Sequence, residues 1–213
     1  MLLMWSGGVE STSLLKQLLT ETDEKVNAVH VSCPTSAGRV HLEWGAVCKL
    51  EPRLQQIRPF TLHRVDISFP FDVRDSEVQV VVLPALLRHL GETQFMKGLC
   101  LEDWKDEAGY AGPAMTEATN RARFGRRIAD LVLGYMQHDK NHYAGVDLID
   151  WKQKTWEDLS PYHESMHWHK AEHMRYLGPE LLALTWSCLT PVRGSPCGTC
   201  GTCKLRASYQ PAS

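Results

Sequence analysis

"LLMWSGGVESTSLL", Leu2–Leu15, is the stretch on which the reading of this chain turns. Leu2–Trp5 is an unbroken apolar run of the length and kind that a buried strand needs. Ser6-Gly7-Gly8 interrupts it. Beyond the turn, Leu14, Leu15, Leu18 and Leu19 recur on one face of a helix over Ser11–Leu19. A strand, a glycine turn and a helix start make an anion-binding element. Glycines let the backbone approach a phosphate, and free N–H groups at the helix start point at it. Ser6, Ser11 and Thr12 offer hydroxyl donors to the same cradle. The turn lacks the Gly-Lys-Ser/Thr ending of a Walker loop and the third glycine of a dinucleotide fingerprint. On these residues alone, a tight strand–helix connection capped by Ser11 stands beside the phosphate reading. Glu10 raises the specificity. A carboxylate beside phosphates repels them unless a cation lies between, so Glu10 reads as a magnesium contact or as an orienter of the first helical turn.

Working outward, strands alternate with helices. Lys25–Val31 and Phe60–Ile67 read as strands, and Val40–Ile57 as a helix that Pro52 ends or kinks. Val78–Leu90 reads as a helix in spite of Pro84, although its three consecutive valines also suit a strand. Gln94–Leu101 is a fourth strand, and Met115–Met136 a helix with Gly125 inside it. Such alternation predicts an α/β fold, a Rossmann-like parallel sheet with helices on both faces. In sheets of that kind a ligand binds outside the carboxyl ends of the strands, near the point where strand order reverses. Ser6-Gly7-Gly8 lies at that end.

The chain has 213 residues, 43% of them hydrophobic and 23% charged, which suits one large domain or one domain with a small appendage. Its apolar runs are too short to span a bilayer, and the start lacks the basic flank and apolar core of a signal peptide. A cytoplasmic location is therefore expected. With 23 Lys+Arg against 25 Asp+Glu, no global positive field draws the chain to nucleic acid, so a small anionic ligand is the better match. Arg121, Arg123, Arg126 and Arg127 form one local basic cluster, read as a solvated helix face.

Of seven cysteines, Cys33, Cys48 and Cys100 are isolated, while Cys188, Cys197, Cys200 and Cys203 crowd the C-terminal end. An odd number without a secretory signal argues against a disulfide framework. The four follow a C-x8-C-x2-C-x2-C spacing, with a glycine in each C-x2-C turn. Four soft ligands with no open position describe a structural zinc site, and an iron–sulfur cluster is the second reading. The organisation expected is an α/β nucleotide-binding domain over residues 1–180 and a zinc module over 181–213.

Taken together, these motifs carry a family resemblance. Ser-Gly-Gly-x-Glu-Ser-Thr, Ser6–Thr12, resembles the pyrophosphate loop of adenylate-forming ATP pyrophosphatases, in which Asp usually stands in place of Glu10. With "TWSC" (Thr185–Cys188) and "CGTCGTCKLR" (Cys197–Arg206), the chain resembles the 7-cyano-7-deazaguanine synthase family. "GRVHLEWGAVCKL" (Gly38–Leu50) is similar to that family's segment after the second strand, and "HKAEHMRYLG" (His169–Gly178) to its Lys-x-Glu helix. The resemblance spans Leu2–Arg206 and is strongest at the two ends. In the middle, "VLPALLRHL" (Val82–Leu90) stands where the family has a Pro-Gly-Arg-Asn stretch, and "DEAGYAGPAMTE" (Asp106–Glu117) keeps Tyr110 without the family's Asp-Cys pair.

The resemblance implies ATP, magnesium and zinc as cofactors, a homodimer, and 7-carboxy-7-deazaguanine with ammonia as substrates. The carboxylate is activated as an acyl-adenylate, ammonia gives the amide, and a second activation permits dehydration to the nitrile. Ser6, Gly7, Gly8, Glu10, Ser11 and Thr12 then bind ATP. Lys170 aligns with a lysine near the nucleotide phosphates and is the expected catalytic residue, against the alternative of a solvated surface lysine. An amide-forming variant, a transfer-RNA thiolase-type enzyme and a catalytically silent nucleotide-binding zinc module are the other readings. His163/His167 and His169/His173 are i, i+4 pairs, but helix geometry sets the two pairs about 120° apart. They are read as a polar helix flanking the cleft. The tryptophans, Trp151, Trp156, Trp168 and Trp186 among them, are read mostly as core.

Overall fold

The structure, a computed structural model, describes residues 1–33, 39–68, 82, 86, 89–92, 95–97 and 168–209. The expected helix Met115–Met136, the arginine cluster, Tyr110, Cys100, His163 and His167 lie outside the described residues.

The apolar start forms β1, Leu2–Met4, and the leucine-patterned segment forms α1, Val9–Glu21. Then come β2, Asn27–Ser32, α2, Val40–Gln55, β3, Thr61–Asp66, and β4, Phe95–Lys97. Among the described residues the strands all pair in parallel, in the order β3-β2-β1-β4. Leu2 pairs with Asn27 on one side and Phe95 on the other, so β1 is an inner strand. The chain winds from β1 outward to β3 and then crosses to the opposite side of β1. The strand order therefore reverses at β1, the strand that feeds the glycine turn.

Both faces of the sheet are covered. Leu3, Trp5 and Ala28 pack against Leu14, Leu15 and Leu18 of α1 and Val47, Leu50 and Leu54 of α2. On the other face Leu2, Met4 and Val29 meet Val82 and Leu86. Double coverage explains why β1 shows no polar alternation: on a strand covered from both faces, every position is interior. Val82, Leu86, His89 and Leu90 are helical, as the Val78–Leu90 pattern expects. Pro52 lies inside α2 and does not end it. It sits close to the C-terminus, where only a few residues follow the backbone bond that a proline cannot make.

Among the described residues two further helices follow, α3, Lys170–Leu184, and α4, Gly201–Ser208. A capping box of His169 and Glu172 starts α3, and Gly178 (φ 74°, ψ 169°) breaks it just ahead of Pro179. Its first half lies on α1, with Met174 and Leu177 against Val9. No described helix is long and apolar enough to cross a membrane.

Candidate functional site

The glycine turn is hydrogen-bonded to itself and to the start of α1, and its Gly7 carbonyl to Trp186. The Ser6 Oγ accepts the Gly8 N–H (3.2 Å) and lies 3.1 Å from the Ser11 Oγ, which accepts the Ser6 N–H (3.3 Å). Gly7 has φ +76°, and a Cβ there would stand 3.0 Å from the Glu43 carbonyl oxygen of α2. The fold itself therefore demands that glycine. Gly8 is the N-cap of α1 and has no side chain, so the N-cap residue itself offers the first-turn N–H groups no acceptor. Glu10 adds a carboxylate in that turn, where the helix dipole favours it.

The expected cradle residues do not all face outward. Ser6 is exposed and Glu10 partly so, whereas Ser11 and Thr12 are buried. Thr12 turns into the core, where its Oγ1 accepts the Trp5 indole N–H at 3.1 Å. Its contribution is to fix α1 against the end of β1.

Lys170, the first residue of α3, is buried, and its Nζ lies 2.5 Å from the Glu10 Oε1. It is no solvated surface lysine. The side chains retain 5% and 12% of their exposure, and removing one partner from a pair this enclosed costs about 3–5 kcal/mol. One helical turn further along both helices, the buried His173 Nδ1 lies 3.0 Å from the Ser13 Oγ. Thus α1 and α3 are joined by two polar rungs, Glu10–Lys170 and Ser13–His173. Among the described residues of the histidine-rich stretch, His169 is exposed as the N-cap, while His173 belongs to the core rather than to a polar helix face.

At the neighbouring strand end, His30 is buried with its ring beside Trp44 (5.2 Å between centroids) and its Nδ1 3.1 Å from the Trp5 carbonyl. A carbonyl only accepts, so Nδ1 carries the proton. Burial holds the His30 pKa below its ordinary value, the Trp5 hydrogen bond opposing it.

The four C-terminal cysteines converge: the sulfurs of Cys188, Cys197, Cys200 and Cys203 all lie within 4.8 Å of one another. Zinc at about 2.3 Å from each sulfur needs sulfur–sulfur edges of ~3.8 Å, so the set requires little movement to close on a metal ion such as zinc. The backbone already points at the sulfurs. The Cys197 N–H donates to the Cys188 sulfur (3.2 Å) and the Cys200 N–H to the Cys197 sulfur (3.3 Å). Sulfurs this close cannot all ionise without a cation among them. Hydrogen bonding led by the Thr190 hydroxyl draws Cys197 down to about 5, and burial pushes Cys203 up to about 12. A tight turn supports the cluster, with Arg193 (φ 50°) and Gly194 (φ 79°) between the paired residues Val192 and Ser195.

This cluster is tied to the glycine turn. The Trp186 N–H donates to the Gly7 carbonyl at 2.9 Å, and the Trp186 indole N–H to the Cys188 carbonyl at 3.1 Å. The Arg206 guanidinium of α4 reaches the Thr185 carbonyl (3.0 Å) and the Leu182 carbonyl, and the Thr202 hydroxyl reaches the Ser187 carbonyl (2.6 Å). Sequence reading passes over His173, Ser13 and Trp186 in these roles, because nothing local to any of them signals its partner.

Comparison with protein-family models, with curated proteins and with solved structures returns no match to this chain. The family resemblance rests on the quoted residues themselves.

Proposed function

We propose that this chain is an ATP-dependent, adenylate-forming ligase of the 7-cyano-7-deazaguanine synthase type, acting on a 7-deazapurine carboxylic acid and ammonia. The observation that carries the reading is the Glu10–Lys170 pair beside the glycine turn. A partly buried acid and a buried base meet beside the turn that follows β1, the strand at which the strand order reverses, and in Rossmann-like sheets a nucleotide binds at such a point. The donor set suits the groups involved. Backbone N–H groups at the start of α1 and an ammonium match phosphate oxygens, and a carboxylate with the Ser6 hydroxyl matches magnesium, a hard cation. Magnesium, when bound, neutralises charge on the β- and γ-phosphates.

The chain's own residues supply position and charge. The turn holds the pyrophosphate end of ATP, a substrate here, and leaves the α-phosphorus open. An oxygen of the carboxylic acid attacks that phosphorus, the bond to pyrophosphate breaks, and Lys170 balances charge gathering on the leaving oxygens. Ammonia then displaces AMP from the acyl carbon to give the amide. A second adenylylation, on the amide oxygen, allows loss of AMP and a proton to give the nitrile. The four-cysteine cluster is read as structural zinc that braces the turn through Trp186.

The test is a reaction with ATP, magnesium, ammonium and 7-carboxy-7-deazaguanine. AMP and pyrophosphate are expected, without ADP, and only when the acid is present. Without ammonium, turnover is expected to stall near one equivalent. Mass spectrometry then distinguishes nitrile from amide as the product. Failure of every deazapurine acid to release pyrophosphate from folded, zinc-containing protein overturns the reading.

A further inference from the structure

Glu10 and Lys170 are each other's counter-ion in the structure, at 2.5 Å and largely shielded from water. Their placement is not what helix electrostatics alone would choose for both. An acid in the first turn of α1 is favoured by the dipole, but Lys170 opens α3 at its positive end. Glu10 offsets that placement. Its other oxygen, Oε2, leans back over the turn, 3.7 Å from where a Gly8 Cβ would stand. The carboxylate thus lies between the turn and the ammonium.

Resting on the nucleotide function proposed above, we infer that the Glu10–Lys170 ion pair is a charge lock that a divalent cation and a polyphosphate release only together. A cation arriving alone meets the Lys170 ammonium, and a polyphosphate arriving alone meets the Glu10 carboxylate. Each is repelled by the residue that its partner ligand would engage. When both arrive, the carboxylate exchanges the lysine for the cation and the lysine exchanges the carboxylate for a phosphate oxygen. No buried charge is left unpaired at the end. Metal and polyphosphate therefore bind with positive coupling, and the coupling is reciprocal. The lock keeps the turn from filling with metal-free nucleotide, which could not react.

The experiment is calorimetric titration of zinc-containing protein with ATP, and separately with inorganic pyrophosphate, in metal-depleted buffer with or without added magnesium. Zinc content and circular dichroism are checked for each variant. For the wild type, magnesium should tighten binding by about 10-fold or more. In Glu10→Gln the two conditions should converge from both directions, with metal-free ATP binding more tightly than in the wild type and magnesium–ATP more weakly. This crossover separates a lock from the simple preference of any site for a less charged nucleotide. A double variant, Glu10→Gln with Lys170→Met, removes both charges of the pair together and so does not leave Lys170 buried without its Glu10 partner. It too should bind ATP alike with and without magnesium. An unchanged magnesium ratio in both variants, or metal-free ATP bound no better by Glu10→Gln, overturns the lock and leaves the ligase reading standing. Absence of any ATP or pyrophosphate binding by the wild type overturns both.

Discussion

Gly7 and Gly178 share a positive φ but not a neighbourhood, and the difference is measurable. Gly178 breaks α3 at φ 74° with open space where a side chain would stand. Alanine there carries backbone strain alone, about 1–3 kcal/mol. At Gly7 the same strain is joined by a Cβ 3.0 Å from the Glu43 carbonyl, a backbone atom that cannot swing aside. Crowding of that kind adds about 1–3 kcal/mol. Urea unfolding should therefore show Gly7→Ala as clearly the more destabilised variant; equal losses would mean that α2 yields to the new atom. His30 makes a second prediction at this scale. Burial depresses its pKa, so the unfolded chain binds the extra proton first as pH falls below the ordinary value of 6.5. Its contribution is complete above that pH and is lost as pH drops through the lower folded value, at up to about 1.4 kcal/mol per pH unit. Melting temperatures between pH 7 and 5 should fall more steeply for the wild type than for His30→Gln. Parallel slopes would show that the ring does not titrate differently on folding.

Among the elements, α3 and the cysteine-rich segment act as a brace for the glycine turn. The first half of α3 delivers Lys170 and His173 to α1, and its break at Gly178 redirects the chain so that Trp186 reaches Gly7. Lys16 closes the broken end, its Nζ donating to the Tyr176 carbonyl at 2.6 Å and lying over the Tyr176 ring. Cys188 follows Trp186 closely, so the four-cysteine cluster and the turn share one short piece of backbone. Metal binding to such clusters contributes on the order of 10 kcal/mol or more to local folding. Cys200→Ala should cost the metal, about one zinc per chain in the wild type. It should also speed hydrogen exchange at the Trp186 amide, whose acceptor is Gly7. Iron with visible absorbance in the purified protein would replace zinc in this account. Loss of metal without change at Trp186 would remove the mechanical link.

Across the whole molecule, most of the sheet could be read from the chain, because a strand or a helix announces itself within its own length. The apolar run Leu2–Trp5, the leucine spacing of α1 and the alternating segments behind them each depend on neighbours a few residues away. The cysteine spacing is legible for the same reason, since two overlapping C-x2-C turns bring three sulfurs together with little help from the rest of the fold. Outward or inward facing within the turn was not legible. Thr12 sits a few residues from the exposed Ser6 in the same Ser/Thr-rich stretch, yet the Trp5 indole draws it into the core. The polar rungs between α1 and α3 were legible still less. Ser13 and His173 stand 160 positions apart, and the Lys170 sequence context reads equally well on a solvated helix. Local period and spacing are enough to read β1–β4, α1, α2, the glycine turn at a strand's end and the four thiols from the sequence. Only the tertiary structure decided that Lys170 would be buried on Glu10 and that Trp186 would hold the Gly7 carbonyl. Those contacts follow from how α3 packs across α1, and packing is settled by the apolar faces of two helices rather than by the polar residues they carry together.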